Sequence, residues 1–203
     1  MAAIDDKNKK ILAKIIYYGP EKGGKTRSLE YIFDKYRHRI DPFNVMIKKV
    51  GNERIEFDYL SIEVGKIKDY AVNLHLYTVP GGEHRKAARR LILKEADGLV
   101  FVADSIVLRR NANIESMNEL SNNLASYNRK LLGTPMAIQY NKRDLSEKHI
   151  PILSIETLET DLNPLKFPFF ETSGETGHNI MEVMKRVVSL TVSSIQTTLL
   201  KKS

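Results

Sequence analysis

The segment Gly19-Pro20-Glu21-Lys22-Gly23-Gly24-Lys25-Thr26 constrains this chain more than any other. It follows the run from Ile11 to Tyr18, which reads as a strand, and precedes the run from Arg27 to Tyr36, which reads as a helix. A strand, then G-x-x-x-x-G-K-T, then a helix is the context that makes the pattern a phosphate-binding loop. Backbone N–H groups in a tight glycine-rich turn converge on an anion, and the helix that starts there adds the positive end of its dipole. The candidate contacts are Gly19, Glu21, Lys22, Gly23, Gly24, Lys25, Thr26 and Arg27. Lys25 is expected to reach the β- and γ-phosphates as a point charge. The Thr26 hydroxyl is expected to hold Mg²⁺, which bridges phosphate oxygens. The competing reading is a glycine-rich turn that fits the pattern by chance.

Beyond this loop the chain alternates between strand and helix patterns. Strands are expected at 10–18, 54–64, 70–79, 99–104, 135–140 and 167–171, and helices at 25–37, 83–95, 111–127, 154–162 and 177–200. Asp41-Pro42 ends the first helix and Gly51-Asn52 signals a turn. Residues 65–69 turn the chain between two alternating strands that read as a hairpin. The second helix carries Ala87, Leu91 and Ile92 as its apolar residues, the third Ile114, Met117, Leu120 and Leu124. Ile180, Val183, Met184, Val187, Val188 and Leu190 are the expected buried residues of the last. The fold class that follows is α/β, of P-loop NTPase type. A mostly parallel central sheet with one antiparallel edge strand carries helices on both faces. At 203 residues the chain is expected to be one domain. In such sheets ligands sit beyond the carboxyl ends of the strands, so each functional motif should follow a strand.

Asn141-Lys142-Arg143-Asp144 does follow one. A carboxylate at Asp144 can accept from both N1–H and the exocyclic amine of guanine. Adenine lacks that donor pair and would leave the carboxylate unpaired. The Asn141 amide is expected to tie neighbouring loops together and meet the base edge, while the Lys142 stem packs over the ring. The alternative is a polar loop with a helix-capping Asp.

Composition narrows the rest. No cysteine is present, which excludes a disulfide framework, a Cys-based metal site and a catalytic thiol. The polar first ten residues do not read as a signal peptide, and no apolar run is long enough to span a bilayer. Ala2 is not the glycine that myristoylation needs, and no C-terminal Cys is available for prenylation. A cytoplasmic protein with no direct membrane anchor is expected. The net charge of +7 suits an acidic partner or anionic surface, but the basic residues are scattered and lack interleaved aromatics. No specific nucleic-acid partner is expected.

The two motifs and their spacing resemble those of the Ras-superfamily small GTPases. Glu171-Thr172-Ser173-Gly174 matches the family's third base-site element, with Ser173 and Gly174 at the positions whose backbone meets the guanine oxygen. Leu76-Tyr77-Thr78-Val79-Pro80-Gly81, Asp97 to Ser105, Asn113 to Met117 and Gln139 to Leu145 are similar to the MglA-like bacterial branch, as is Phe57 to Gly65. The likeness covers about residues 11–190. It implies a GTP/GDP switch in polarity or gliding motility, recruitment to a cell pole, and a roadblock-domain activator of MglB type besides effector proteins.

Departures from the family pattern bear on catalysis. Most small GTPases place an Asp near Mg²⁺ where this chain has Thr78, a weaker neutral contact. Gly81 keeps an N–H for the γ-phosphate. The next position holds, in the family, a Gln that orients the attacking water; here it is Gly82, followed by Glu83. No Thr lies between Thr26 and Thr78 to serve as the switch I ligand. The branch also carries a built-in arginine finger, for which Arg54 is the nearest candidate, one residue out of register. Binding is therefore expected to survive and hydrolysis to be slow. Three other readings stay open: a nucleotide-locked pseudo-GTPase scaffold, a P-loop small-molecule kinase, and nucleic-acid binding through the positive charge. His75 reads as a half-exposed strand residue, His84 as a candidate near the nucleotide, His178 as a helix-start residue, and Asp104-Ser105 as loop support.

Overall fold

The described residues are 2–39, 49–50, 53–54, 59–79 and 86–200 of a computed structural model. Their strands are β1 Ala3–Asp5, β2 Lys10–Tyr18, β3 Lys49–Val50, β4 Glu53–Arg54, β5 Tyr59–Ile67, β6 Tyr70–Thr78, β7 Gly98–Asp104, β8 Met136–Asn141 and β9 Phe169–Glu171. Their α-helices are α1 Lys25–Tyr36, α2 Lys86–Lys94, α3 Arg110–Ala125, α4 Ile155–Leu162 and α5 Ile180–Leu200. The main sheet runs β5-β6-β2-β7-β8-β9. From β6 to β9 all neighbours are parallel, and β5 joins β6 antiparallel at the edge.

β2 is apolar almost throughout because both of its faces are covered. Ile11, Ala13, Ile15 and Tyr17 pack with Leu29 and Ile32 of α1 and with Ile180, Val183 and Val187 of α5. Ile16 and Tyr18 point to the other layer, with Leu93 of α2, Leu120 and Leu124 of α3 and Leu158 of α4. Each fully buried Ile or Leu contributes about 1.5–3 kcal/mol to holding the layers together.

Five local expectations need correction. A second antiparallel strand, β1, lies on β2, with Ala3 opposite Leu12. It takes the edge of β2 that β7 leaves open below Ile15. The expected turn at Gly65 is a β-bulge, with the register shifting between Glu63 and Gly65. Gly65 has φ +129°, and the strand continues to Ile67, which is buried. Arg54 does not begin that strand; it lies in β4, which pairs antiparallel with β3, Lys49 opposite Arg54. On α2, Leu91 is exposed and Arg89 is buried, because the guanidinium makes a two-pronged pair with Glu119 of α3. On α5, Leu190 is only partly buried, and Thr191 holds the buried position, its hydroxyl donating to Val187 O.

His75 sits on β6 opposite Lys14 of β2 and Ser61 of β5, with Nδ1 3.3 Å from the Tyr77 hydroxyl. Burial, reinforced by the Lys14 charge, lowers its pKa to about 4. In the unfolded chain this imidazole takes a proton near pH 6.5, whereas in the folded chain it stays neutral until about pH 4. Its contribution to stability is thus complete above pH 6.5 and is lost as pH falls from 6.5 toward 4. The His75→Gln variant is expected to lose less Tm between pH 7 and pH 5 than the wild type. Equal losses, followed by differential scanning calorimetry, would remove His75 from the acid response.

Candidate nucleotide-binding site

The parallel strands all deliver their last residues to one edge. β2 runs into Gly19, β6 ends at Thr78, β7 at Asp104, β8 at Asn141, and β9 leads into Thr172. The loop after β2 turns sharply, and two of its glycines are required by their surroundings. Gly19 has φ +140° and a Cβ there would overlap the Val102 carbonyl; Gly24 has φ +105° and a Cβ would overlap the Asn141 amide. Gly23 N donates back to Pro20 O at 3.2 Å.

Lys25 is buried, and its Nζ donates to Gly19 O at 2.8 Å and Pro20 O at 2.7 Å, so the ammonium is held across the loop. The bond from Ser28 N to Gly24 O, at 3.0 Å, opens the α1 ladder. Amides ahead of it are outside that ladder and lie at the positive end of the helix. No acidic residue in the first turn competes for it. The Thr26 side chain is exposed at this turn, whereas Thr78 is buried at the end of β6, opposite Tyr17. Glu21 and Lys22 are exposed. Arg27 directs its guanidinium to Glu30 (3.3 Å) and Glu175 (3.7 Å).

Asn141 joins three loops. Its Nδ2 donates to Gly23 O at 2.8 Å, and its Oδ1 accepts from Gly174 N at 2.9 Å and from the Thr172 hydroxyl at 3.2 Å. Ser173 is buried, its Oγ accepting from Thr176 N at 3.1 Å. Lys142 has φ +68°, and its ammonium reaches Asp104 at 2.7 Å. Asp144 is half-buried in the 3₁₀ turn Arg143–Lys148, and among the described residues no side chain or amide bonds its carboxylate. Arg143 steadies that turn, donating from its backbone to Thr172 O and from its guanidinium to Leu153 O.

The edge thus brings together residues from Gly19 to Arg27 with Thr78, Asn141, Lys142, Asp144, Ser173 and Gly174. Arg54 lies in β4, and only its backbone is described; Gly81, Gly82, Glu83 and His84 fall outside the described residues. Sequence reasoning missed Arg109, Asn113, Ser28 and Gln139. Arg109 donates to Glu21 O at 2.7 Å, and Asn113 pins the Asp104 backbone through both its amide and its carbonyl. Ser28 bridges Gly24 O and the Gln139 amide. The resembling stretches contain Asn113 and Gln139 but give them no role, since a polar residue on a helix or strand reads the same whether it faces solvent or a neighbouring element. Asp104, read as loop support, is almost fully buried beside Lys142 and Arg109.

Mg²⁺ asks for few protein oxygens when phosphates and water supply the rest. The Thr26 and Thr78 hydroxyls, at the loop mouth and on the adjacent strand end, fit that demand. No cluster of acidic or imidazole ligands for another metal occurs among the described residues.

The Ras family model matches residues 14–193. The chain is 36% identical over 196 residues to the Mutual gliding-motility protein MglA of Myxococcus xanthus, covering 97% of this chain and 98% of that protein. The two findings agree with the order of strands and with the two motifs at the sheet edge, and the chain belongs to the Ras family, as an MglA-like small GTPase.

Proposed function

We propose that the protein is a GTP/GDP switch acting in gliding motility or cell polarity, with slow intrinsic hydrolysis and a roadblock-domain activator of MglB type. The observation that carries the nucleotide assignment is Asn141, whose one amide joins the phosphate loop at Gly23 to the base loop at Gly174. The process is inferred from the name of the Myxococcus relative. The protein acts in the cytoplasm and is brought to a cell pole by a partner; among the described residues no helix is long and apolar enough to cross a membrane.

In this reading Lys25 and the first-turn amides of α1 neutralise the β- and γ-phosphates. Asp144 accepts from the guanine edge, Lys142 lies over the ring, and Ser173 and Gly174 present backbone to the base oxygen. Thr26 and Thr78 would hold Mg²⁺, which when bound would supply charge neutralisation for the phosphates. Gly81 offers an N–H to the γ-phosphate, and Arg54 is the in-chain cation. Gly82 has no side chain to orient water, so the transition state lacks one preorganised partner.

Single-turnover GTP hydrolysis tests this. Alone, the protein is expected to turn over at or below about 10⁻³ s⁻¹, with clear acceleration by a roadblock protein. Absence of cleavage in both conditions would leave a nucleotide-locked scaffold. Gly82→Gln is expected to raise the intrinsic rate about tenfold or more; no gain would move the deficit to switch I.

A further inference from the structure

We infer that Asp104 is a positioning residue for the nucleotide, acting through Lys142 and Arg109 as a strap between the base loop and the phosphate loop. The inference rests on the nucleotide site proposed above. The Asp104 carboxylate is 1% exposed, and its two oxygens have separate tasks. Oδ1 accepts from Ile106 N at 3.1 Å, which shapes the turn after β7. Oδ2 accepts from Lys142 Nζ at 2.7 Å and lies 3.7 Å from Arg109 Nε. The same Arg109 donates through a terminal nitrogen to Glu21 O at 2.7 Å. A continuous line of charge-assisted contacts therefore runs from Glu21 in the phosphate loop, through Arg109 and Asp104, to Lys142 in the base loop.

A turn-capping aspartate needs only the first oxygen. The second is bonded to the end of a long, flexible side chain whose backbone is already fixed in the left-handed region. Lysine loses much rotamer freedom when its head is held, and holding it before the ligand arrives removes that loss from binding. Asn113 fixes Asp104 itself, donating to its carbonyl at 2.8 Å and accepting from its amide at 2.9 Å. The carboxylate is thus a rigid post to which both loops are tied. Arg109, about one-third exposed, closes the strap at the surface.

The test is the release rate of mant-GDP from the full chain, measured by stopped-flow chase with unlabelled GDP. Wild type must first retain the probe; failure to do so removes the nucleotide reading and the inference with it. With wild type competent, Asp104→Asn is expected to release the probe roughly tenfold faster, since a charge-assisted bond becomes a neutral one. In a Lys142→Met background the same substitution should change the rate less than about twofold, the non-additivity expected of residues acting through each other. Full additivity, or an unchanged rate in Asp104→Asn, overturns the inference and leaves the nucleotide reading intact. Should Asp104→Asn fail to fold, Arg109→Gln at its surface position decides. About threefold faster release supports the strap, and a wild-type rate overturns it.

Discussion

Asp144→Asn is expected to turn a guanine site into a xanthine site. The carboxylate offers two acceptors to the two donors of guanine. An Asn at that place keeps one acceptor and sets an amide donor against the exocyclic amine. Xanthine carries an oxygen there and restores the match. Loss of one bond to a charged acceptor, about 1.5–3 kcal/mol, together with the opposed donors, lowers GDP affinity by at least roughly 10- to 10²-fold. Competition of XDP and GDP against mant-GDP measures the exchange of preference. Because the Asp144 carboxylate has no bonded partner among the described residues, the near-isosteric change should move Tm by little. Unchanged GDP affinity would show that another group reads the base.

Asn141→Ala is expected to be the most damaging single change at the site. It deletes the donor to Gly23 O and the acceptor for Gly174 N and the Thr172 hydroxyl, all in a buried setting. The Thr172 hydroxyl keeps the Tyr140 carbonyl, but Gly23 O and Gly174 N are orphaned at about 1–3 kcal/mol each, so a loss of roughly 2–6 kcal/mol is expected. For a chain of this length that lowers Tm by on the order of 10 °C. Nucleotide release should accelerate as well, because the two loops lose their common tie. Calorimetry and mant-GDP release together check both effects. A wild-type Tm with wild-type release would mean that the Asn141 amide does not join the loops in solution.

Periodicity made the layers of the sheet legible before any coordinates. The run from Ile11 to Tyr18 could be placed because nearly every residue of a doubly covered strand is apolar, Lys14 being the exception. Met117, Leu120 and Leu124 could be placed because a helix face repeats every three or four positions. Ala3–Asp5 carries no such signal: three exposed residues form a strand only because β2 has an edge to spare. Gly65 reads as a turn in sequence, yet Ile67 needs a buried place, and the bulge lets the strand reach it. On α2, the apolar stripe placed Ile92 against the core but not Ala87 or Leu91, and the burial of Arg89 is set by Glu119, thirty positions away. At the site the motif residues were legible one by one. Arg109 and Asn113 were not, because their value lies in pairings that only the folded chain creates.

The place of β2 also bears on how the chain is made. Its parallel neighbours begin at Tyr70 and Gly98, long after Lys10–Tyr18 has left the ribosome. Among the described residues, β1 is the sheet partner of β2 within reach for most of that interval, a short hairpin that covers part of one edge of a strongly apolar strand. An uncovered edge of this kind is an invitation to pair with another nascent chain. The modest contact between Ala3 and Leu12 thus has its largest effect before the domain exists, as a temporary guard on the strand that will carry the phosphate loop.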